Sequence, residues 1–203
     1  MIDILGSIDN SIENNELIIK QVTALGLLLI EQNAHNETVL KPYIRFIKGK
    51  KPFETGTVLD DYLSIEGITS CIYTKAYKDG MITAKPFDIL MVMDGASSGM
   101  VYSHQSGIVS STLAKLEVPD MMNDYLYWFL LSNSEMIKTR NTGSAIPHAN
   151  KDYISSLLCD YNLANDEVLR KELHSLREKI IDLKKENTEL KELKNLYLKK
   201  FFG

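Results

Sequence analysis

Apolar side chains recur at alternating spacings of four and three near both ends of the chain. One stripe runs through Ile8, Ile12, Asn15, Ile19, Val22, Gly26 and Leu29, and another through Leu169, Leu173, Leu176, Ile180, Leu183, Asn187, Leu190, Lys194 and Tyr197. That rhythm predicts two coiled-coil helices, one over about Met1–Gln32 and one over about Asn165–Phe202. A helix of some 30 residues extends roughly 45 Å and cannot bury its stripe against itself, so each helix needs a partner helix. Asn165 or Asp166 is the expected N-cap of the second, with Asp166 and Glu167 near the positive end of its dipole. Gly26 is expected to weaken the first helix near its end, and residues 33–36 to leave it as a loop. Each stripe holds one asparagine, Asn15 and Asn187. In the seam, each fixes register or partner choice at a cost in stability; the alternative is that one or both face solvent.

Between the stripes the texture changes. Short apolar runs, Tyr62–Ile65, Ser70–Tyr73, Asp88–Met93, Gly99–Tyr102 and Gly107–Ser110, are punctuated by Gly, Pro and Asp and read as strands joined by turns. Met121–Ile137, rich in aromatic residues and leucine, reads as a buried helix, and a second short helix is expected over Ala149–Leu158. The expected organisation is a mixed α/β (α+β) globular domain over residues 36–160, flanked by helices over residues 1–35 and 161–203.

Composition narrows the class. The chain has 203 residues, 44% of them hydrophobic, enough for one cored domain with extensions. It contains no run of about 18 apolar residues, so no membrane span is expected. Asp3 and Asp9 with no early Lys or Arg do not make a secretory signal, and a cytoplasmic location is expected. Cys71 and Cys159 stand alone and read as small hydrophobes in a reducing compartment, not as zinc ligands. The net charge of −4 disfavours a general polyanion binder. Contact with nucleic acid would need Lys and Arg gathered on one face, or phosphate contacts from a partner.

Four stretches carry a family resemblance. Residues 5–15 (LGSIDNSIENN) look like the start of a spacer helix. Residues 88–99 (DILMVMDGASSG) look like a strand and turn of a target-recognition domain. Residues 141–152 (NTGSAIPHANKD) are similar to the stretch before that domain's closing helix, and residues 193–203 look like a helix terminus. Together they resemble the specificity subunits of type I restriction–modification systems over nearly the whole chain. The chain departs from that pattern in two places. Residues 157–163 lack the proline-containing strand usual there, and one recognition domain stands where full-length members carry two. The resemblance is therefore to a half-subunit. It implies a homodimer, pairing through both terminal helices and reading a split palindromic site in double-stranded DNA. It also implies methyltransferase subunits as partners, with a restriction subunit as an optional third. No cofactor is expected in this chain, S-adenosylmethionine belonging to the methyltransferase partner.

The residues themselves offer no catalytic constellation. The turn at residues 94–99 lacks the ending and glycine spacing of a phosphate loop. No Asn-Pro-Pro-aromatic stretch of an amino-methyltransferase occurs, and His35, His104, His148 and His174 lack metal-ligand spacing. The chain is read as non-catalytic. Candidate DNA contacts are Arg45, Lys48, Lys50 and Lys51 as the densest basic run, and Lys75 and Lys78 beside Thr74 and Tyr77. Ser97, Ser98, His104 and Gln105 lie near strand ends, and Arg140, Thr142, Ser144 and His148 before the closing helix. Gln105 has the chemistry of an adenine reader, and Gly143 is expected to bring backbone amides close to a phosphate. Changing Leu176 and Leu183 to Asp is expected to abolish helix pairing and leave the domain folded. A protein–protein adaptor that dimerises by coiled coil and never binds DNA is the alternative reading.

Overall fold

The computed structural model describes residues 2–33, 35 and 37–202. Ala34 and Asn36, half of the expected exit loop, lie outside the described residues. In chain order the elements are α1 (Ile2–Asn33), β1 (Thr38–Val39), β2 (Arg45–Lys48), β3 (Leu59–Leu63), α2 (Ile65–Ser70), β4 (Thr74–Tyr77), β5 (Thr83–Ala84) and β6 (Ile89–Val92). There follow β7 (Val101–Tyr102), β8 (Gly107–Val109), β9 (Leu113–Glu117), α3 (Asn123–Ser132), α4 (Ser134–Thr139), α5 (Lys151–Ser156), β10 (Leu158–Cys159), α6 (Tyr161–Ala164) and α7 (Glu167–Phe202).

Helices α1 and α7 form the expected coiled coil, with each other. The chain leaves α1 into the body and returns from it into α7, so the two run antiparallel as a stalk. Asn15 Nδ2 donates to Asn187 Oδ1 at 3.0 Å in the buried seam, and further from the body Lys194 Nζ meets Asp9 Oδ1 at 2.5 Å. Ile8, Asn15, Leu169, Leu173, Ile180, Leu183 and Asn187 are buried, and Ile12, Ile19, Val22, Leu176 and Leu190 half-buried. The seam assigned from sequence to pairing between copies is thus occupied within one chain, because the body's fold returns α7 alongside α1. Replacing Asn15 by Leu is expected to cost about 1–3 kcal/mol, since it leaves the buried Asn187 amide without its partner. The double change Asn15→Leu, Asn187→Leu should recover most of that loss, measured by urea unfolding. A double variant no more stable than the single one would show that the pair contributes nothing in the seam.

In the body, β2-β9-β6-β7 make one antiparallel sheet. The order β4-β3-β8-β5 makes a second, in which β3 and β8 run parallel. A two-stranded ribbon, β1 with β10, closes the base. Strand β6 is buried on both faces, which is why residues 88–93 read as an unbroken apolar run. Ile89 and Met91 face the helical core around α3, while Leu90 and Val92 face the smaller core against the second sheet.

The structure redraws some boundaries. Ser70–Tyr73, read as a strand, holds the end of α2 and the left-handed Cys71 (φ 59°) that terminates it. The expected helix over Met121–Ile137 is two helices, α3 and α4, broken at Asn133, whose side-chain amide donates to Phe129 O at 2.8 Å. Asp166 caps α7, its Oδ1 accepting from Leu169 N at 2.8 Å.

Besides the apolar core they share, two side chains fasten the stalk to the body. Trp128 of α3 lies flat on the backbone of α1, where a Cβ on Gly26 would fall 2.5 Å from the indole ring. Gly26 therefore opens the gap that Trp128 fills, beyond the helix weakening its lack of a side chain implies. Trp128 Nε1 also donates to Leu173 O of α7 at 3.2 Å, so this one side chain engages both stalk helices. The second fastening is Arg177 of α7, fully buried against the body.

Candidate functional site

The turn 94–99 and the segment 141–148 come together as one surface. Gly95 N donates to Pro147 O at 2.9 Å, and Asn141 Nδ2 to Ser98 O at 2.9 Å. Ser98 Oγ lies 2.7 and 2.9 Å from the carbonyl oxygens of Gly95 and Pro147. The segment 141–148 folds back on itself, Thr142 and His148 exchanging both backbone hydrogen bonds at 2.9 and 2.7 Å. Gly143 permits that turn, for its φ is 89° and a Cβ there would overlap the carbonyl oxygen of Ile146.

Asp94 organises the charge on this surface. Lys48 Nζ reaches its Oδ2 at 2.7 Å, and His148 Nδ1 lies 2.7 Å from its Oδ1. Burial pushes the Asp94 carboxyl up, but the hydrogen bonds from Lys48 and His148 outweigh that and hold it below the ordinary carboxylate value. Lys48, His148, Thr142 and Ser144 remain exposed around it. Gly49, threaded between Lys48 and Lys50, lies against the backbone carbonyls of Val109 and Ser110. Beyond it the loop 50–58 projects, presenting Lys50, Lys51 and the aromatic ring of Phe53. Asp79 pins the far end of that loop, accepting from Thr57 N at 2.8 Å and Val58 N at 3.3 Å.

Other residues chosen from sequence are placed differently. Ser98 is fully buried and its hydroxyl is spent on the turn, so it is not a surface donor. His104 packs edge-on against Tyr127, with ring centroids 5.6 Å apart. Burial, then the charges of Lys184 and Arg177, push its pKa down to about 2, so it stays neutral near pH 7. Gln105 accepts from Tyr73 Oη at 2.7 Å on the stalk-facing side of the body. Arg45 faces Glu117 across the β2/β9 pair at 3.6 Å, while Lys75 on β4 and Lys78 just after it meet Asp61 and Asp60 at 2.8 and 2.9 Å. Ser97 is half-exposed in the turn, and Arg140, at the end of α4, holds its guanidinium 5.7 Å above the Tyr153 ring. The structure thus joins Lys48, Ser97, Thr142, Ser144 and His148 above the buried Ser98, continues to Lys50 and Lys51, and places Arg45, Lys75, Lys78, His104 and Gln105 in other contacts.

The least expected feature is the buried charge network under the stalk. Arg177 Nη1 donates to Asn123 Oδ1 at 2.6 Å and Asp124 Oδ1 at 2.7 Å; Nη2 donates to Phe87 O at 2.6 Å and Ser103 Oγ at 2.7 Å. Its guanidinium lies 4.5 Å from the centroid of the Tyr127 ring. His174 Nδ1 takes the other oxygen of Asp124 at 3.0 Å and stacks on Phe87. Burial draws the Arg177 pKa below its ordinary value, and Asp124 opposes that. In sequence Arg177 passes for one charge on a solvated helix. Its spacing of four after Leu173 and three before Ile180, which puts it on the apolar stripe, is the signal that could have found it.

These features define a class: a mixed α/β body with an exposed, loop-built surface, carried on an antiparallel helical stalk. Among the described residues no group of three or more His, Cys, Asp or Glu side chains converges as a metal site would require, and no helix is long and apolar enough to cross a membrane. No family model matches the chain. The type I restriction enzyme MjaVIII specificity subunit of Methanocaldococcus jannaschii is 32% identical to it over 128 residues, a match covering 57% of this chain and 29% of that protein. Two crystal structures share the fold. The type I restriction–modification S subunit from M. genitalium aligns with a TM-score of 0.63 at 18% identity over 99% of this chain and 57% of that one. The HsdS subunit from Thermoanaerobacter tengcongensis aligns with a TM-score of 0.55 at 14% identity over 97% and 54%. The chain is thus similar in sequence to one type I restriction–modification specificity subunit and shares the fold of two others. It spans about half the length of the solved subunits and less than a third of the curated relative.

Proposed function

We propose that this chain recognises a half-site in double-stranded DNA and acts without catalytic chemistry of its own, as the specificity component of a type I restriction–modification complex. The carrying observation is the joining of residues 94–99 and 141–148 into one exposed surface that Lys48, Lys50 and Lys51 flank. Lysines at such a rim suit phosphate contacts that fix register, and the side chains of Thr142, Ser144 and His148 suit base edges. Methyl transfer, with its S-adenosylmethionine, belongs to methyltransferase subunits docked on this chain, and cleavage to a restriction subunit where one joins.

Two copies would form the two-domain unit that reads a split palindrome. Because the seam is filled within each chain, the pairing surface would be the exposed apolar tip of the stalk, where Ile4, Leu193, Leu196, Leu198 and Phe201 gather away from the body. Sedimentation at micromolar concentration is expected to show a dimer, and a strict monomer would remove the homodimer from this reading.

Selection from a duplex library, with and without a methyltransferase partner, is the direct test. The expected product is one sequence with two related half-sites. The double change Lys50→Ala, Lys51→Ala should weaken binding to all duplexes alike and lower the salt slope by about one per lysine, whereas Thr142→Ala should alter the selected bases. Selection of no sequence under either condition would leave the adaptor reading in its place.

A further inference from the structure

We infer that the cleft between stalk and body binds a small organic phosphate of the nucleoside polyphosphate class. This goes beyond the proposed function and requires neither DNA nor a methyltransferase. The cleft encloses about 580 Å³ between α1 and α7 on one side and α2, Tyr73 and residues 104–106 on the other. Four lysines, Lys20, Lys184, Lys185 and Lys191, line it with a single acid, Glu16. Among the described residues no carboxylate lies within ion-pair distance of any of the four, whereas Lys48, Lys75, Lys78 and Lys115 of the body each sit on one. In a chain of net charge −4, that is a local concentration of uncompensated positive charge, and low-dielectric walls strengthen its field. Lysine ammonium groups suit phosphate oxygens.

The opposite wall has another chemistry. Ile68 and Tyr73 present apolar and aromatic surface there, and Ile181 of α7 adds to it from the lysine side, which suits one planar ring system. Gln105 Oε1 is held by the Tyr73 hydroxyl at 2.7 Å, which orients the amide; its nitrogen bonds to none of the described residues and is free to donate to a ring acceptor. The volume falls within the roughly 300–1,000 Å³ of small-molecule sites. A duplex does not enter such a space, since its major groove alone is about 12 Å wide. A ligand with several negative charges at one end and a flat, hydrogen-bonding ring at the other satisfies both walls.

Cys71 supplies the measurement, because it is exposed and lines the cleft while Cys159 is buried. The rate at which iodoacetamide alkylates Cys71 therefore reports occupancy. ATP should slow that rate saturably, with adenosine and inorganic tripolyphosphate each needing at least roughly tenfold higher concentration, as loss of a charge-assisted contact predicts. The double change Lys184→Ala, Lys185→Ala should raise the ATP concentration for half-protection roughly tenfold or more, with an unchanged unfolding curve confirming the fold. Should that variant fail to fold, Lys20→Ala with Lys191→Ala replaces it. Absence of protection by ATP, equal protection by tripolyphosphate, or undiminished protection of the folded lysine variant would each overturn the assignment.

Discussion

Replacing Arg177 by Ala is expected to lower the stability of the folded chain by about 3–5 kcal/mol, because it leaves Asp124 as a buried charge without its main partner. The side chain is fully buried, and its four hydrogen bonds span Asn123, Asp124, the carbonyl of Phe87 and Ser103. These acceptors come from three separate parts of the body, so the loss also loosens the seating of the stalk. The double change Arg177→Met, Asp124→Leu separates the two contributions. It removes both charges and keeps the volume, and should restore much of the stability, as apolar replacement of buried ion pairs commonly does. Urea unfolding of the three proteins measures this. A single variant within about 1 kcal/mol of the native chain would mean that water or rearrangement satisfies Asp124 and that the network does not hold the stalk.

The double change Leu176→Asp, Leu183→Asp should destabilise the chain by roughly 5 kcal/mol or more, from two lost apolar side chains and two charges placed in an apolar seam. Sequence alone predicted an intact body after this change. The structure predicts otherwise, because Leu176 packs against the main core together with Leu173 and Ile180, and α1 adds Val22, Leu29 and Ile30 to the same cluster. Parting α1 from α7 therefore uncovers part of the body's core. Near-ultraviolet circular dichroism of the Trp128 environment reads this directly, since the indole contacts α1 at Gly26 and donates to α7 at Leu173. A variant that kept the native Trp128 signal and unfolding midpoint would restore the picture of an independent body with a detachable stalk.

Much of the architecture was written in local pattern. The two heptad stripes gave both helices, because a continuous apolar face at 3.5-residue spacing has few other uses. The apolar runs around residues 88–93 and 107–110 gave strands, and the glycine-bearing stretch 94–99 gave a turn. Other features escaped for physical reasons. Strands β2 and β9 carry Arg45, Lys115 and Glu117 on one face and Lys48 on the other, so charged residues interrupt their apolar runs and leave them weak. Ser98 and His104 looked like surface donors because polarity was the criterion, yet a small hydroxyl satisfies a buried turn and a neutral imidazole can pack against Tyr127. The lysines of the stalk–body cleft gave no signal in sequence because only the second wall makes them a site.

The order of residues alone determined that there would be two long amphipathic helices, a mixed body between them, and an asparagine in each apolar stripe. It could do so because helical periodicity and turn chemistry are set by neighbours within a few positions. Which surface each helix would bury was decided only in three dimensions: Asn15 meets Asn187, Gly26 receives Trp128, and Arg177 closes on Asp124. Those contacts join residues far apart in sequence, and a seam's partner depends on where the body returns the chain, which no local pattern records.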